Sequence, residues 1–220
     1  METLNYQNVD YVMRKPVPFK GNKQYPLVIF LHGAGGRAAD ISYLQNHEFF
    51  KLSESFCQNV ITVAPKCSVN SWFNVFEKLQ KLVEMLAGLP FVDKRRVYLI
   101  GNSMGGYATW QLAMAKPNLF AAIVPICGGG MYWNAAELIN MGVWAFHGSE
   151  DKIVFCEETE KMVEAIQKRG GNAKITIYQG VGHNSWSQTF ENKTMWDWLF
   201  SQKNSHKETQ DEYKNPVKFG

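Results

Sequence analysis

Residues 97–110 read Val97-Tyr-Leu-Ile-Gly-Asn-Ser-Met-Gly-Gly-Tyr-Ala-Thr-Trp110, and this stretch decides the fold. Val97 to Ile100 is a short apolar run of the kind that forms a buried strand. Met104 to Ala115 carries Tyr107, Trp110, Gln111 and Met114 at spacings of three and four, which predicts a helix. Between them Gly101-Asn102-Ser103-Met104-Gly105 matches G-x-S-x-G, placed where the chain must turn from strand into helix. In such a turn the serine is strained, and its hydroxyl projects over the end of the sheet. The glycines are expected to permit the sharp reversal. Met104 then offers its N–H at a helix start, where developing negative charge is stabilised.

Upstream, Val9 to Lys15 reads as an edge strand. Leu27 to Leu31 reads as a strand buried on both faces of a parallel sheet, ending in the loop His32-Gly-Ala-Gly-Gly36. A helix is expected from about Ala39 to Ser55 and a strand over Val60 to Ala64. Phe76, Leu79, Leu82, Val83 and Leu86 then mark an amphipathic helix. Downstream come a strand at Ala121 to Cys127, a short helix at Ala135 to Met141 and a strand at Val143 to Phe146. A helix at Glu157 to Lys168, a strand at Lys174 to Tyr178 and a closing helix at Thr189 to Phe200 follow. This alternation predicts an α/β fold: a mostly parallel sheet, helices on both faces, and a site at the C-terminal strand ends. One domain is expected over residues 1–202, with a polar tail over 203–220.

The 220 residues, 45% hydrophobic and 20% charged, suit a single globular domain. A net charge of +3 without a basic, aromatic-interleaved patch argues against nucleic acid as a partner. No run reaches the length that crosses a bilayer, and the first residues do not form a signal peptide. The expected setting is therefore cytoplasmic, or secreted if a signal peptide has been removed, with no membrane partner. Cys57, Cys67, Cys127 and Cys156 lack metal-ligand spacing and read as free, mostly buried thiols, a Cys57–Cys67 disulfide being the alternative. No His/Asp/Glu cluster has metal-site spacing either, so neither metal nor cofactor is expected. The expected partner is a small molecule, and homo-oligomerisation stays open.

A serine hydroxyl is a poor nucleophile near neutral pH; it needs a base, and the base needs an orienting carboxylate. In the order serine, acid, histidine, Ser103 is followed by Asp151 or its neighbour Glu150 after one strand, and by His183 after the last strand. All fall on loops at one edge of the sheet. His47 and His206 read as solvated, while His32 and His147, at strand ends before glycine, read as loop anchors. The second oxyanion donor is expected in His32-Gly-Ala-Gly-Gly36, at Ala34 or alternatively Gly35. Trp72 and Trp186, with Tyr107 and Trp133, are candidate walls of a substrate pocket or, equally, core aromatics.

Three motifs carry a resemblance: Gly101-Asn-Ser-Met-Gly-Gly-Tyr-Ala-Thr-Trp110, His147-Gly-Ser-Glu-Asp-Lys-Ile-Val154 and Gly182-His-Asn-Ser-Trp186. From about Pro26 to Phe200 the chain resembles the α/β-hydrolase superfamily. Within it the chain is similar to the phospholipase/carboxylesterase group and the feruloyl-esterase-like, or predicted-peptidase-like, proteins. The resemblance implies Ser103 as nucleophile, Asp151 as acid, His183 as base, and an oxyanion hole from the N–H groups of Ala34 and Met104. Dienelactone hydrolases carry cysteine at the nucleophile position, which sets this chain apart from the close members of that branch. Ser-Met-Gly-Gly in place of Ser-Gln-Gly-Gly likewise sets it apart from acyl-protein thioesterases. The connection from Gly128 to Met141 is too short for a helical lid, so an open site for small or short-chain esters is expected. Feruloyl or acetyl-xylan esters are the alternative substrates; a peptidase and a non-catalytic binding protein rank below them.

Overall fold

The computed structural model describes residues 1–204. Eight strands form one sheet: β1 (Glu2–Tyr6), β2 (Val9–Arg14), β3 (Tyr25–Leu31), β4 (Ile61–Pro65), β5 (Val92–Asn102), β6 (Ala122–Ile126), β7 (Gly142–Gly148) and β8 (Ala173–Tyr178). Their spatial order is β1-β2-β4-β3-β5-β6-β7-β8. β2 runs antiparallel to both β1 and β4, and every other neighbouring pair is parallel.

Every residue of β3 is buried, because successive side chains point to opposite faces and both faces are covered. Leu27, Ile29 and Leu31 join Val97 and Leu99 of β5 in one apolar cluster. α3 (Phe76–Ala87), α4 (Met104–Ala115) and α5 (Cys156–Gln167) cover that face with Leu82, Trp110 and Met162. Val28, Phe30, Tyr98 and Ile100 point the other way. There they meet Phe49, Phe190 and Trp196 from α2 (Glu48–Leu52), α6 (Trp186–Glu191) and α7 (Lys193–Ser201).

Several elements differ from expectation. β1 pairs with β2 through a turn in which Gln7 and Asn8 both take positive φ, 48° and 65°. Paired positive φ values suit a two-residue hairpin, here formed without the glycine that would have marked it. β2 is therefore covered on both sides and is not the edge. The expected helix over 39–55 is two short ones, α1 (Ile41–Gln45) and α2. Asp40 caps the first, and the His47 ring caps the second by accepting from Phe49 N at 3.1 Å. His47, expected in solvent, is only 8% exposed. The closing helix is likewise split at Asn192, whose side chain accepts from Met195 N at 3.0 Å and starts α7.

The short helix before β7 is a 3-10 helix, Tyr132–Leu138, with Ala135 and Leu138 buried. It packs down on the body of the molecule instead of arching over it. All four cysteines are free, and Cys57, Cys67 and Cys127 are buried. Asn204 N donates to Arg95 O at 2.9 Å, so the chain is still docked where a tail was expected to begin. Residues 205–220, with His206, lie outside the described residues. Among the described residues no helix is long and apolar enough to cross a membrane.

Candidate active site

β5 and α4 meet at Ser103, which takes φ 55° and ψ −119°. The strain lies on the serine itself, as a nucleophile turn requires. The motif glycines have a different job from the one expected of them. Among described glycines only Gly170 and Gly180 have positive φ. A Cβ at Gly105 would overlap the Leu31 carbonyl, and one at Gly101 would lie 2.6 Å from Gly105 C. The glycines give room, so that α4 can start hard against β3 and β5.

His183 Nε2 lies 2.9 Å from Ser103 Oγ, and His183 Nδ1 lies 2.7 Å from Asp151 Oδ2. A carboxylate accepts only, so Nδ1 carries the proton and Nε2 accepts from the serine hydroxyl. Asp151 Oδ1 accepts from Ile153 N and Val154 N at 2.9 and 3.0 Å. Burial pushes the Asp151 carboxyl up, but the hydrogen bonds from His183, Ile153 and Val154, with the imidazole's charge, outweigh it and hold the group below its ordinary value. Glu150, the competing acid, is exposed. His147, fully buried, places Nε2 2.9 Å from Val154 O and 3.1 Å from Asp151 Oδ2, with Nδ1 2.7 Å from Thr159 Oγ1.

Met104 is the first residue of α4, and Ala34 is the first of a 3-10 helix, Ala34–Gly36. First-turn amides have no acceptor within their own helix, and neither N-cap supplies a side-chain one. The two turns adjoin: a Cβ at Gly33 would be 3.4 Å from Ser103 Cβ. His32 ties this loop down. Its Nδ1 donates to Gly33 O at 2.7 Å, while Nε2 accepts from Cys67 N at 3.0 Å. Burial, above all, lowers its pKa to about 4, so the ring stays neutral.

Trp72 is not a pocket wall. It is completely buried under the loop, with Nε1 donating to His32 O at 3.0 Å. Trp186 does stand at the site, its ring edge-on to His183 with centroids 5.4 Å apart. Its Nε1 donates to Glu48 Oε1 at 2.5 Å, and Ser187 Oγ donates to Glu48 Oε2 at 2.7 Å. Glu48 is a support that sequence reading missed, since 138 residues separate it from Trp186 and no motif marks it. Trp133 is 64% exposed, and Tyr107 lines a hollow of about 520 Å³ with Phe73, Phe76, Gln111, Met131 and Glu158.

Cys127, at φ 40°, directly follows β6 beside the site. Its Sγ lies within 4.8 Å of ligand-type atoms of Asp151 and His183. Burial pushes this thiol up to about 12, so it stays protonated, and both nitrogens of His183 are already engaged. These donors fit a proton relay better than a metal ion.

The profile of the Dienelactone hydrolase family matches residues 60–211. "Probable feruloyl esterase C" from Aspergillus terreus is 27% identical over 135 residues, 58% of this chain and 50% of that protein. The chain thus spans about half the length of this relative. A solved structure titled as a thermostable esterase superposes with TM-score 0.78 at 29% identity, covering 92% of this chain and 62% of that one. Est1E from Butyrivibrio proteoclasticus shares the fold at 14% identity, with TM-score 0.69 over 91% of this chain and 99% of its own. The matched segment holds Ser103, Asp151 and His183 together, with serine at position 103 where close members of the dienelactone hydrolase branch are expected to carry cysteine. The chain belongs to the Dienelactone hydrolase family.

Proposed function

We propose that this protein is a serine esterase that hydrolyses small or short-chain carboxylic esters through an acyl-enzyme on Ser103. The observation that carries the reading is the unbroken relay from Ser103 Oγ through His183 to Asp151, at 2.9 and 2.7 Å. Ser103 Oγ attacks the ester carbonyl while its proton passes to His183 Nε2. Negative charge gathers on the carbonyl oxygen, where the N–H groups of Met104 and Ala34 receive it. The tetrahedral adduct collapses, the C–O bond to the alcohol breaks, and the departing oxygen takes the proton from Nε2. Water then repeats the sequence on the acyl-serine, giving the acid and free serine.

Esters are favoured over amides because an alkoxide leaves more readily than an amine. Support for apolar substituents comes from the rim, where Phe73, Tyr132, Trp133, Ile153 and Phe155 are each at least half exposed. Each lies in the segment that follows a parallel strand, at the end of the sheet where Ser103 follows β5. Turnover of p-nitrophenyl acetate and butyrate, lost in Ser103→Ala, tests the reading; full activity in that variant rejects it.

A second reading, release of feruloyl or acetyl groups from plant cell-wall esters, draws on the aromatic hollow beside α4 and on the name carried by the Aspergillus relative. Methyl ferulate hydrolysis outpacing that of p-nitrophenyl butyrate would favour it.

A further inference from the structure

The hollow of about 520 Å³ opens beside α4, where Tyr107 N donates to Ser103 O at 3.0 Å, one helical turn from the nucleophile. Phe73, Phe76, Tyr107 and Met131 give it apolar walls. Glu158 is the sole charged residue among those lining it. It stands in the first turn of α5, where negative charge is favoured. Its carboxylate has no hydrogen bond or ion pair with any other described residue, although lysines and arginines are common on this chain.

The place of Glu158 is built into the loop beneath it. Gly129 does not take a positive φ, so its backbone does not require glycine. A Cβ there would instead lie 2.8 Å from Glu158 Cβ and overlap its carboxylate. A glycine at 129 keeps open the space that the carboxylate fills.

Aromatic faces carry negative potential at their centres, and a carboxylate adds a full negative charge. A hollow made of both attracts organic cations and repels anions. The Tyr107 phenol registers the same field, its pKa raised first by burial and then by Glu158.

We propose that the hollow is a charge-selective subsite, in which Glu158 favours substrates bearing an ammonium group over neutral ones and disfavours carboxylates. The proposal rests on the esterase reading and concerns which substituent that site accepts.

Benzylammonium, benzyl alcohol and benzoate share a ring and differ in charge. Each is titrated by calorimetry into the wild-type protein at pH 7.5, and each is tested as a competitive inhibitor of p-nitrophenyl butyrate hydrolysis. Benzylammonium should bind about fivefold or more tightly than benzyl alcohol, and benzoate should bind most weakly. Glu158→Gln should weaken benzylammonium about five- to tenfold and leave benzyl alcohol within about twofold. A different wild-type order, or an unchanged cation-to-neutral ratio in the variant, overturns the proposal. The wild-type order needs no variant, so a poorly folded Glu158→Gln leaves the test intact. Because calorimetry reads binding without turnover, a protein that ranks the probes but cleaves no ester would sink the esterase reading alone.

Discussion

His147 and His183 converge on one oxygen atom, Asp151 Oδ2, at 3.1 and 2.7 Å. Only the second ring reaches Ser103 Oγ, at 2.9 Å. The first has Nε2 facing two acceptors, Asp151 Oδ2 and Val154 O, so that nitrogen carries a proton and donates. Asp151 is thus held by His147 on one oxygen and by two backbone amides on the other, and what remains free to it is the bond to His183. A carboxylate fixed in this way aims the His183 ring at Ser103.

The first prediction follows from that arrangement. His147→Gln should lower kcat for p-nitrophenyl butyrate about tenfold while KM moves less than about twofold, because the residue positions the relay and does not touch substrate. Steady-state kinetics on folded variant, with folding confirmed by circular dichroism, provide the check. A rise in KM at constant kcat would contradict a positioning role.

Gly105 and Gly21 make opposite predictions for the same substitution. A methyl at Gly105 would overlap Leu31 O and lie 2.5 Å from Leu31 C, whereas one at Gly21 meets nothing within 4 Å. Gly105→Ala should cost about 3 kcal/mol or more, or abolish folding, since backbone on both sides must give way. Gly21→Ala should be neutral or stabilising by up to about 1 kcal/mol through the unfolded chain. Urea unfolding of both variants measures the contrast.

Two buried histidines set the acid limit. His32 and His47 are both lowered from 6.5 to about 4, chiefly by burial. Between those values the unfolded chain binds protons that the folded protein refuses, so stability falls as pH drops from about 6.5 and levels off near 4. Each ring contributes a loss of about 3 kcal/mol across the window. His47→Asn keeps a capping acceptor for Phe49 N and removes one titration, so the thermal midpoint should fall about half as steeply between pH 6.5 and 4. An unaltered slope would assign the acid sensitivity elsewhere.

Much of this was legible in the sequence because it is local. The nucleophile turn is written in five consecutive residues, and Val97 to Ile100 announces its strand by apolar content alone. The helix Met104–Ala115 has the bounds that its apolar spacing predicts. What failed depends on partners far along the chain. A split helix at Asn46-His47 is stabilised by a histidine ring acting as a cap, an unusual capping residue that composition does not flag. β1 is polar and exposed on its outer side, and it exists because β2 offers it a ladder. For Trp72 the sequence leaves pocket wall and core aromatic equally open, and the choice of the core is made by an acceptor 40 residues away, His32 O.

Glu48 is another long-range effect, and it carries the last prediction. Its two oxygens take hydrogen bonds from Trp186 Nε1 and Ser187 Oγ. Both donors follow His183 within four residues, so α2 fastens the segment that sets the imidazole's position. Glu48→Ala leaves the indole N–H and the Ser187 hydroxyl without this acceptor. For a half-exposed pair of bonds to a charged group the cost should be about 1–2 kcal/mol in stability. The looser segment should lower kcat several-fold, as expected when a catalytic group is displaced without being removed. Glu48→Gln keeps one acceptor oxygen and should recover part of both losses. The decisive comparison is kcat across wild type, Glu48→Gln and Glu48→Ala at a temperature where all three are folded. If Glu48→Ala matches wild type, the tie between α2 and the histidine segment does no catalytic work.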